Sequence, residues 1–286
     1  IMGKSNPPAL LKRLQLKEFT QPDIIQVKYP IFLCHGFGAI GSLVKPSPLH
    51  DPCMLMREHG VIAFAPNVVP YASIETRAKN WVRLINKVCD DHGFKKVNVV
   101  AHSMGGLDMR YALSHLGIAD KVASLTTVAS PHRGTFLADL ILKTPEIITE
   151  KLSGLVDWFG DNVYPNEKSQ VLSSVEQLCI NFIQDEFNPN TPDIEGFPYF
   201  SYSAAVGKGT DFSLNPVFMF QNTQIFAKEA VNDSFVSVKS AQWGEHLGTV
   251  PLSHMHQINV QVSKEFKPIY NDFWVEVLKM LREKGF

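Results

Sequence analysis

Short, almost wholly apolar runs occur along this chain and alternate with segments of helical periodicity. The runs in its first half are rich in β-branched side chains, which is typical of strands buried on both faces of a sheet; they are 29–34, 61–65, 97–101 and 122–129. After the second run, apolar residues recur at helical spacing: Ala78, Trp81, Val82, Ile85, Val88 and Cys89. Ser73 is suited to cap this helix and Gly93 to end it. Strands that alternate with helices predict an α/β fold, with a mostly parallel central sheet and helices on both faces.

The pattern changes at residue 136, because residues 136–188 are helical in period and contain no strand-like run. Two apolar helix faces stand out, one at Ile148, Leu152, Leu155 and Phe159 and the other at Val171, Val175, Leu178 and Phe182. We therefore expect a single domain over residues 1–286, with a helical lid or cap inserted at about 136–190 over the sheet edge. An extra packing layer is the alternative for this insertion, and it is the favoured one for the second helix.

The last third of the chain returns to strand patterns and ends in a helix. Runs at 199–206 and 235–238 predict two more strands. The buried face of a C-terminal helix is marked by Ile269, Phe273, Val277 and Leu281.

The stretch from Lys96 to Gly106 predicts a strand, a sharp turn and a helix in immediate succession. A β-branched run ends at Ser103, and small residues follow before a helical period begins. This arrangement is typical of a nucleophile elbow, which presents a hydroxyl at the carboxyl edge of a parallel sheet. Ala101 stands where the usual pattern has glycine. The sequence predicts that Ser103 is a nucleophile, with a plain turn serine as the alternative.

A serine hydroxyl is a weak nucleophile and needs a general base, which an acid must orient. In elbow enzymes these partners follow in the order serine, acid, histidine. Asp233 lies in a polar segment beside an apolar run and is the candidate acid, with an Asx-turn residue as the alternative. His246, His254 and His256 all occur in the right part of the chain, and their chemistry alone does not choose among them.

Acyl transfer produces an oxyanion that preorganised N–H groups must stabilise. The residue after the nucleophile supplies one such group, here Met104, and the loop after the first strand supplies the other. That loop reads His35, Gly36, Phe37 and Gly38, and Phe37 is the expected second donor. A plain strand-ending turn is the alternative for this loop.

Charge, hydropathy and cysteine content limit the kinds of binding partner and environment that the sequence suggests. The net charge of −1 gives no reason to expect nucleic acid or an acidic membrane surface as a partner, and no apolar run is long enough to span a bilayer. The scattered cysteines are compatible with buried thiols or with one disulfide; they are Cys34, Cys53, Cys89 and Cys179. The first residues lack the layout of a secretory signal, so the sequence itself leaves compartment and oligomeric state open.

Several segments together resemble the bacterial true lipases, the lactonizing-lipase type of triacylglycerol lipase, which have the α/β-hydrolase fold: 35–38, 101–106, 130–134, 232–234 and 254–259. The resemblance implies a catalytic triad of Ser103, Asp233 and His254, with Phe37 and Met104 as the oxyanion donors. It also implies a lid after residue 136, hydrolysis of long-chain acylglycerols at a lipid–water interface, and secretion.

One departure concerns metal binding. The family's structural calcium site takes an aspartate two residues after the catalytic histidine, and His256 occupies that position here. A neutral imidazole is a poor ligand for a hard cation, so we expect no cofactor and no calcium site of the usual form. Asp211 is the other carboxylate considered for such a site.

The leading functional hypothesis is a serine hydrolase that cleaves carboxylic esters through an acyl-enzyme, as a triacylglycerol lipase acting on medium- to long-chain acylglycerols. The alternatives on the same scaffold are a carboxylesterase, a polyester depolymerase or a thioesterase. A non-catalytic binding protein is an alternative of another class, against which the complete, ordered triad argues. Several phenylalanines suit either an acyl-chain groove or the core: Phe136, Phe159, Phe182, Phe187, Phe218, Phe220 and Phe226.

Overall fold

Parallel strands form the central sheet in a computed structural model that describes residues 21–38, 45–143, 168–260 and 262–286. The six strands of the described residues are β1 (Ile31–Cys34), β2 (Ala63–Phe64), β3 (Val97–His102), β4 (Val122–Val128), β5 (Tyr199–Ala204) and β6 (Glu245–Val250). Their order across the sheet is β2-β1-β3-β4-β5-β6, and each neighbouring pair is parallel. The predicted α/β fold with a mostly parallel sheet is confirmed.

The helices are α1 (His50–Glu58), α2 (Ile74–His92), α3 (Met104–His115), α4 (Phe136–Lys143), α5 (Lys168–Glu176), α6 (Asn188–Asn190), α7 (Met219–Glu229), α8 (Val238–Ala241) and α9 (Phe266–Glu283). A π-helix covers Phe182–Phe187, and short 3-10 turns occur at Ile118–Asp120, Pro216–Phe218 and His256–Ile258.

The start and end of α2 follow from local chemistry. The Ser73 hydroxyl accepts a hydrogen bond from the N–H of Thr76 at 3.2 Å and so caps the first turn. Gly93 ends the helix in a left-handed conformation with φ of 70°. Both residues do what the sequence predicts of them.

Helices cover both faces of the sheet, and the alternation of side chains along β1 makes this visible. Ile31 and Leu33 belong to one core, together with residues of α1 and α9 such as Met56 and Trp274. The next residues along the strand, Phe32 and Cys34, belong to a second core with the residues of α2 and α3: Ala78, Trp81, Ile85, Met109 and Ala112. Because both faces are buried, the strand is apolar at every position instead of alternating.

The predicted strand at 235–238 is wrong. Phe235 and Val236 lie in a loop, where their N–H groups bond to the Asp233 carboxylate at 3.0 and 2.8 Å and so are not available to a sheet. Ser237 then caps the one-turn helix α8. The side chains of Phe235 and Val236 are buried against a cavity, which explains why this segment is apolar without being a strand.

The sixth strand of the described sheet is instead β6, an edge strand that is partly exposed and contains Gly248. Such a segment carries little hydrophobic periodicity, and the sequence does not predict it; helices α1 and α7 are likewise not predicted. The C-terminal helix is confirmed as α9, with Phe273, Val277 and Leu281 buried.

The lid prediction is covered only in part by the described residues. Its first helix, with Ile148, Leu152, Leu155 and Phe159, lies outside them. The second predicted helix corresponds to α5, which buries Val175 and ends at Glu176, so that Phe182 belongs to the following π-helix. No strand interrupts the described residues from α4 to α6, in keeping with the helical pattern.

Candidate active site

Ser103 occupies the sharp turn between β3 and α3. Its backbone has φ of 55° and ψ of −133°, a region that residues with a side chain adopt rarely and at a cost of roughly 1–3 kcal/mol. The N–H of Ser103 donates to the carbonyl oxygen of Val128 at 2.9 Å, which ties the turn to the adjacent strand β4. At Gly105, in the first turn of α3, an added Cβ would lie 2.6 Å from the carbonyl oxygen of Cys34. Only glycine therefore lets the helix pack this close to the end of β1.

The loop after β1 approaches Ser103 closely. An added Cβ on Gly36 would lie 2.5 Å from Ser103 Cβ and 3.0 Å from its Oγ, so the backbone passes beside the hydroxyl. Gly38 has φ of 99°, as the predicted turn of the chain requires. Phe37 is buried between these glycines and lines a cavity together with Ser103 and His254. Met104 is fully buried at the start of α3, directly after Ser103.

Asp233 and His254 form a buried pair. The Asp233 carboxylate is fully buried, and its Oδ2 lies 2.7 Å from Nδ1 of His254. Its Oδ1 accepts the N–H groups of Phe235 and Val236. The backbone reinforces the pair, since the N–H of His254 donates to the carbonyl oxygen of Asp233 at 3.0 Å. Because a carboxylate only accepts, Nδ1 carries the hydrogen, and Nε2 is the ring nitrogen left to accept from a hydroxyl.

The three histidines that the sequence offers as the general base have different surroundings. His254 faces the cavity that Ser103 lines, and its ring stacks on Phe235 with 4.7 Å between the ring centroids. His246 lies on the edge strand β6, beside the hydroxyls of Ser201 and Ser203. The His256 ring contacts Phe266 at the start of α9, with 4.6 Å between the centroids. Among the three candidates, His254 is thus the one that the described contacts join to Asp233.

An apolar cavity lies beside Ser103. Its walls come from the loop after β4, from α4, from the region of α5 and from the loop after Asp233; among them are Pro131, Leu137, Ala138, Ile141, Val175, Leu178 and Phe235. None of the described phenylalanines that suggested an acyl-chain groove lines this cavity, and Phe159 lies outside the described residues. Phe187, for example, packs instead against the Arg110 guanidinium.

A buried arginine supports the loop that carries Phe37. Arg77, on α2, donates to the carbonyl oxygens of His35 at 2.6 Å and of Gly36 at 3.1 Å. Its Nε bonds the Asp108 carboxylate at 2.8 Å, and Trp81 donates to the same oxygen. Burial raises the pKa of Asp108 to about 6 against the lowering effect of Arg77, so the carboxylate stays ionised near pH 7.

His35 is held neutral in this loop. Burial, followed by the positive charge of Arg77, lowers its pKa to about 3. Its Nε2 accepts the N–H of Val68 at 3.2 Å, so the ring hydrogen lies on Nδ1, which donates to the carbonyl oxygen of Gly36 at 2.9 Å. Gly36 is therefore fixed from two sides, by His35 and Arg77.

Two further residues near the site have no role in the sequence-based prediction. Gln257 bonds the Asp233 carboxylate, and His102 bonds Gln257. Gln257 lies within the motif that begins at His254, which is the one signal that could have indicated it. No motif in the sequence indicates a role for Arg77, because it lies inside an ordinary amphipathic helix and is distant in sequence from Ser103.

His256 stands at the position where the family has a calcium-binding aspartate. His256 is buried against Phe266, and Asp211 is exposed. The described residues contain no group of three or more histidine, cysteine, aspartate or glutamate side chains that could hold a metal ion.

Neither a disulfide nor a membrane-spanning helix occurs among the described residues. All four cysteines are buried free thiols, which settles the alternatives of thiol and disulfide in favour of thiols. In the described ranges, no helix has the length and apolar character needed to cross a membrane.

Comparisons with known proteins find triacylglycerol lipases among similar sequences. Triacylglycerol lipase 2 of Saccharomyces cerevisiae is 29% identical over 213 residues, which cover 71% of this chain and 60% of the yeast protein. The chain thus spans less than two thirds of that relative. A triacylglycerol lipase of Vibrio cholerae is 25% identical over 265 residues, which cover 84% of this chain and 82% of the relative. The resemblance to triacylglycerol lipases that the motifs indicate is confirmed.

The fold is shared with solved structures. The mature form of the Bacillus licheniformis lipase BlEst2 superposes with a TM-score of 0.62 at 19% identity, covering 88% of this chain and 95% of that one. The family model described as alpha/beta hydrolase fold matches residues 29–171, which is half of the chain. The elbow, the sheet order and this match lead to one conclusion: the chain belongs to the alpha/beta hydrolase fold family.

Proposed function

We propose that this protein is a serine hydrolase that cleaves carboxylic esters, and that its substrates are medium- to long-chain acylglycerols. Ser103 is the nucleophile, His254 the general base and Asp233 the acid that orients it. The observation that carries the proposal is the 2.7 Å contact between Asp233 and His254, at the rim of a cavity lined by a serine with a strained backbone. Relatives named triacylglycerol lipase support the same class of reaction.

In the proposed reaction, Ser103 Oγ attacks the ester carbonyl carbon while Nε2 of His254 takes the hydroxyl proton. The carbonyl π electrons move to oxygen, and the N–H groups of Phe37 and Met104 stabilise the resulting oxyanion. The oxyanion then collapses, the bond to the alcohol oxygen breaks, and His254 gives its proton to the leaving alcohol. Water repeats the sequence on the acyl-enzyme, releasing the carboxylic acid and restoring Ser103.

The apolar cavity beside Ser103 is the proposed site of the acyl chain. Aliphatic walls from α4 and from the region of α5 offer no hydrogen-bonding partner to a substrate headgroup and favour burial of methylene groups. Each methylene that leaves water contributes roughly 0.8 kcal/mol, so an acyl chain that packs against these walls binds more tightly than one too short to reach them.

A chain-length series tests this proposal. We expect hydrolysis of glycerol esters to peak at medium or long chains and to disappear in Ser103→Ala, whereas Ser114→Ala, on the helix after the elbow, retains activity. A maximum at short soluble esters, also abolished by Ser103→Ala, would make the protein a carboxylesterase with the same triad. Absence of hydrolysis and of labelling by an organophosphonate would indicate a binding protein and refute the proposal.

The helical insertion is proposed to act as a lid. If it opens at a lipid surface, the rate should rise sharply once a substrate passes its solubility limit. Rates on tributyrin are therefore measured below and above that limit. A smooth saturation curve through the limit would contradict a mobile lid while leaving the proposed triad intact.

A further inference from the structure

Gln257 lies between the candidate acid and the nucleophile elbow. Its side chain is fully buried, and its Nε2 donates to Oδ2 of Asp233 at 2.9 Å. Its Oε1 lies 2.9 Å from Nε2 of His102, the residue directly before Ser103. The backbone also holds Gln257 in place, since Trp274 Nε1 donates to its carbonyl oxygen at 3.0 Å. One amide thus joins two parts of the site that are far apart along the chain.

The donor and acceptor capacity of each group determines the direction of the hydrogen bonds between Asp233, Gln257 and His102. The Asp233 carboxylate only accepts, so the NH2 group of Gln257 must face it. The amide oxygen of Gln257 then faces His102, and an oxygen also only accepts. Nε2 of His102 must therefore carry a hydrogen. Burial, followed by the charge that His254 gains on protonation, lowers the pKa of His102 well below its usual range, so the ring donates as neutral imidazole.

The carboxylate of Asp233 is saturated by these contacts. Two backbone N–H groups bond its Oδ1, while His254 and Gln257 share its Oδ2. Because Gln257 donates to the same oxygen as His254, it restricts where that oxygen can lie relative to the imidazole. The His102 ring also contacts the His254 ring directly, with 4.5 Å between their centroids.

We propose that Gln257 and His102 are positioning residues that tie the nucleophile elbow to the acid–base pair of the proposed esterase site. Gln257 orients the carboxylate that orients His254, and His102 fixes the amide orientation of Gln257. In this role neither residue exchanges a proton during turnover. The inference rests on the proposed function, since it assigns a task within that triad.

The ionisable groups around His254 define what a pH experiment reports. Asp233 bonds its Nδ1, and His102 contacts its ring from β3. Beyond His102 lie His35, in the loop after β1, and Arg77, which bonds the carbonyl oxygen of His35. Loss of the Gln257 NH2 dipole removes positive potential beside the Asp233–His254 pair. The pair should then retain its proton to a higher pH.

The test compares Gln257→Met, His102→Phe and the double variant on a soluble p-nitrophenyl ester, with rates expressed per organophosphonate-titrated site. We expect kcat to fall about tenfold in Gln257→Met with KM nearly unchanged, because both side-chain hydrogen bonds of Gln257 in the network are lost. The acidic limb of the kcat/KM profile should move upward by about half a pH unit. His102→Phe should lower kcat less than Gln257→Met does. The double variant should have the same kcat and pH profile as Gln257→Met, since His102 acts through the side-chain amide of Gln257.

Gln221→Met is the matched control. Gln221 is also a fully buried glutamine, and its Nε2 donates to the carbonyl oxygen of Ser234 at 2.9 Å, next to Asp233 but not to its carboxylate. It should lower the unfolding midpoint without moving the acidic limb. A second readout is independent of turnover: the downfield NMR resonance of the proton between His254 Nδ1 and Asp233 should shift in Gln257→Met and stay in Gln221→Met.

The possible outcomes distinguish failure of the proposed function from failure of the positioning role. Wild-type protein that shows no Ser103-dependent hydrolysis would overturn the proposed function. Ser103-dependent hydrolysis with an unmoved acidic limb and an unmoved proton resonance in Gln257→Met would overturn only the positioning role. A double variant whose loss equals the product of the single losses would exclude action of His102 through Gln257.

Discussion

Arg77 is fully buried and donates from Nη2 to the carbonyl oxygen of His35 at 2.6 Å. The same guanidinium reaches Gly36 and the Asp108 carboxylate, so one rigid fork holds the loop that carries Phe37. A lysine keeps the charge but lacks the planar fork that serves several acceptors at once. The position of the Phe37 N–H group in the proposed oxyanion hole therefore depends on Arg77.

We expect Arg77→Lys to lower kcat by about tenfold or more with a small change in KM, since loss of a whole oxyanion donor costs roughly 100- to 1,000-fold. Steady-state kinetics on a soluble ester measure the effect. Arg57→Lys is the control, because Arg57 bonds the carbonyl oxygen of Ala63 with a similar fork but lies on α1, outside the candidate site. Equal kcat values in the two variants would contradict the role of Arg77.

The sequence predicts the parts of this structure that local chemistry determines. The cap at Ser73 and the stop at Gly93 depend on residues that act within one turn. The elbow at Ser103 likewise depends on small neighbours that the chain displays in order. These predictions hold because each signal and its structural effect lie a few residues apart.

Predictions fail where tertiary contacts override local pattern. The apolar residues Phe235 and Val236 have the sequence pattern of a strand. Their N–H groups instead donate hydrogen bonds to the Asp233 carboxylate, and the segment forms a loop. Gln257 and His102 meet across 155 positions of sequence, and no periodicity indicates such a contact. The support of the candidate site is therefore visible only in three dimensions. The proposed nucleophile and acid are visible in the sequence, and the proposed base is indicated there by the family resemblance.

Ala138 lies on α4 and lines the apolar cavity that extends from Ser103. Ala138→Leu places three more carbon atoms at the wall of this cavity and blocks it. A hydrophobic pocket discriminates roughly 10- to 200-fold for each methylene it gains or loses. We expect kcat/KM to fall about tenfold on long-chain esters and to stay unchanged on short ones. Hydrolysis of a matched series of p-nitrophenyl esters measures the profile.

Lys143→Leu is the control for this experiment, since it adds the same residue at an exposed position of the same helix. Its chain-length profile should equal that of the wild type. A parallel loss on short and long esters in Ala138→Leu would indicate general damage to the fold and contradict an acyl-chain role for the cavity.

Buried neutral histidines make the stability of the fold sensitive to acid. Burial, followed by the charges of Arg110 and Arg133, lowers the pKa of His132 well below its usual range, and the pKa of His35 falls to about 3. In the unfolded chain these groups take up protons below about pH 6.5. The unfolded state then binds more protons than the native state, so stability is present above that pH and is lost as pH falls.

Each such histidine contributes a slope of up to about 1.4 kcal/mol per pH unit in the free energy of unfolding. We expect His132→Gln to reduce the slope by about this amount between roughly pH 6 and pH 4, whatever its effect at neutral pH. Urea unfolding at several pH values measures it. His115→Gln, at an exposed position of α3, should leave the slope unchanged. An unchanged slope in His132→Gln would refute the linkage.

Removal of calcium tests the expectation that His256, in place of the family's aspartate, leaves the protein without the usual calcium site. This residue is buried against Phe266 on α9, and an imidazole nitrogen is a poor ligand for a hard cation such as calcium. The loop after His254 is instead held by direct contacts: Lys267 donates to Oδ1 of Asn259 at 2.9 Å, and Asn259 Nδ2 donates to Asp51 on α1. We therefore expect a chelator to leave ester hydrolysis and Tm unchanged, and Asn259→Ala to lower Tm. Binding of an ion to the native state alone would raise stability by several kcal/mol at saturating concentration, so a clear fall in Tm with chelator would mean that a metal site exists and that this reading of His256 is mistaken.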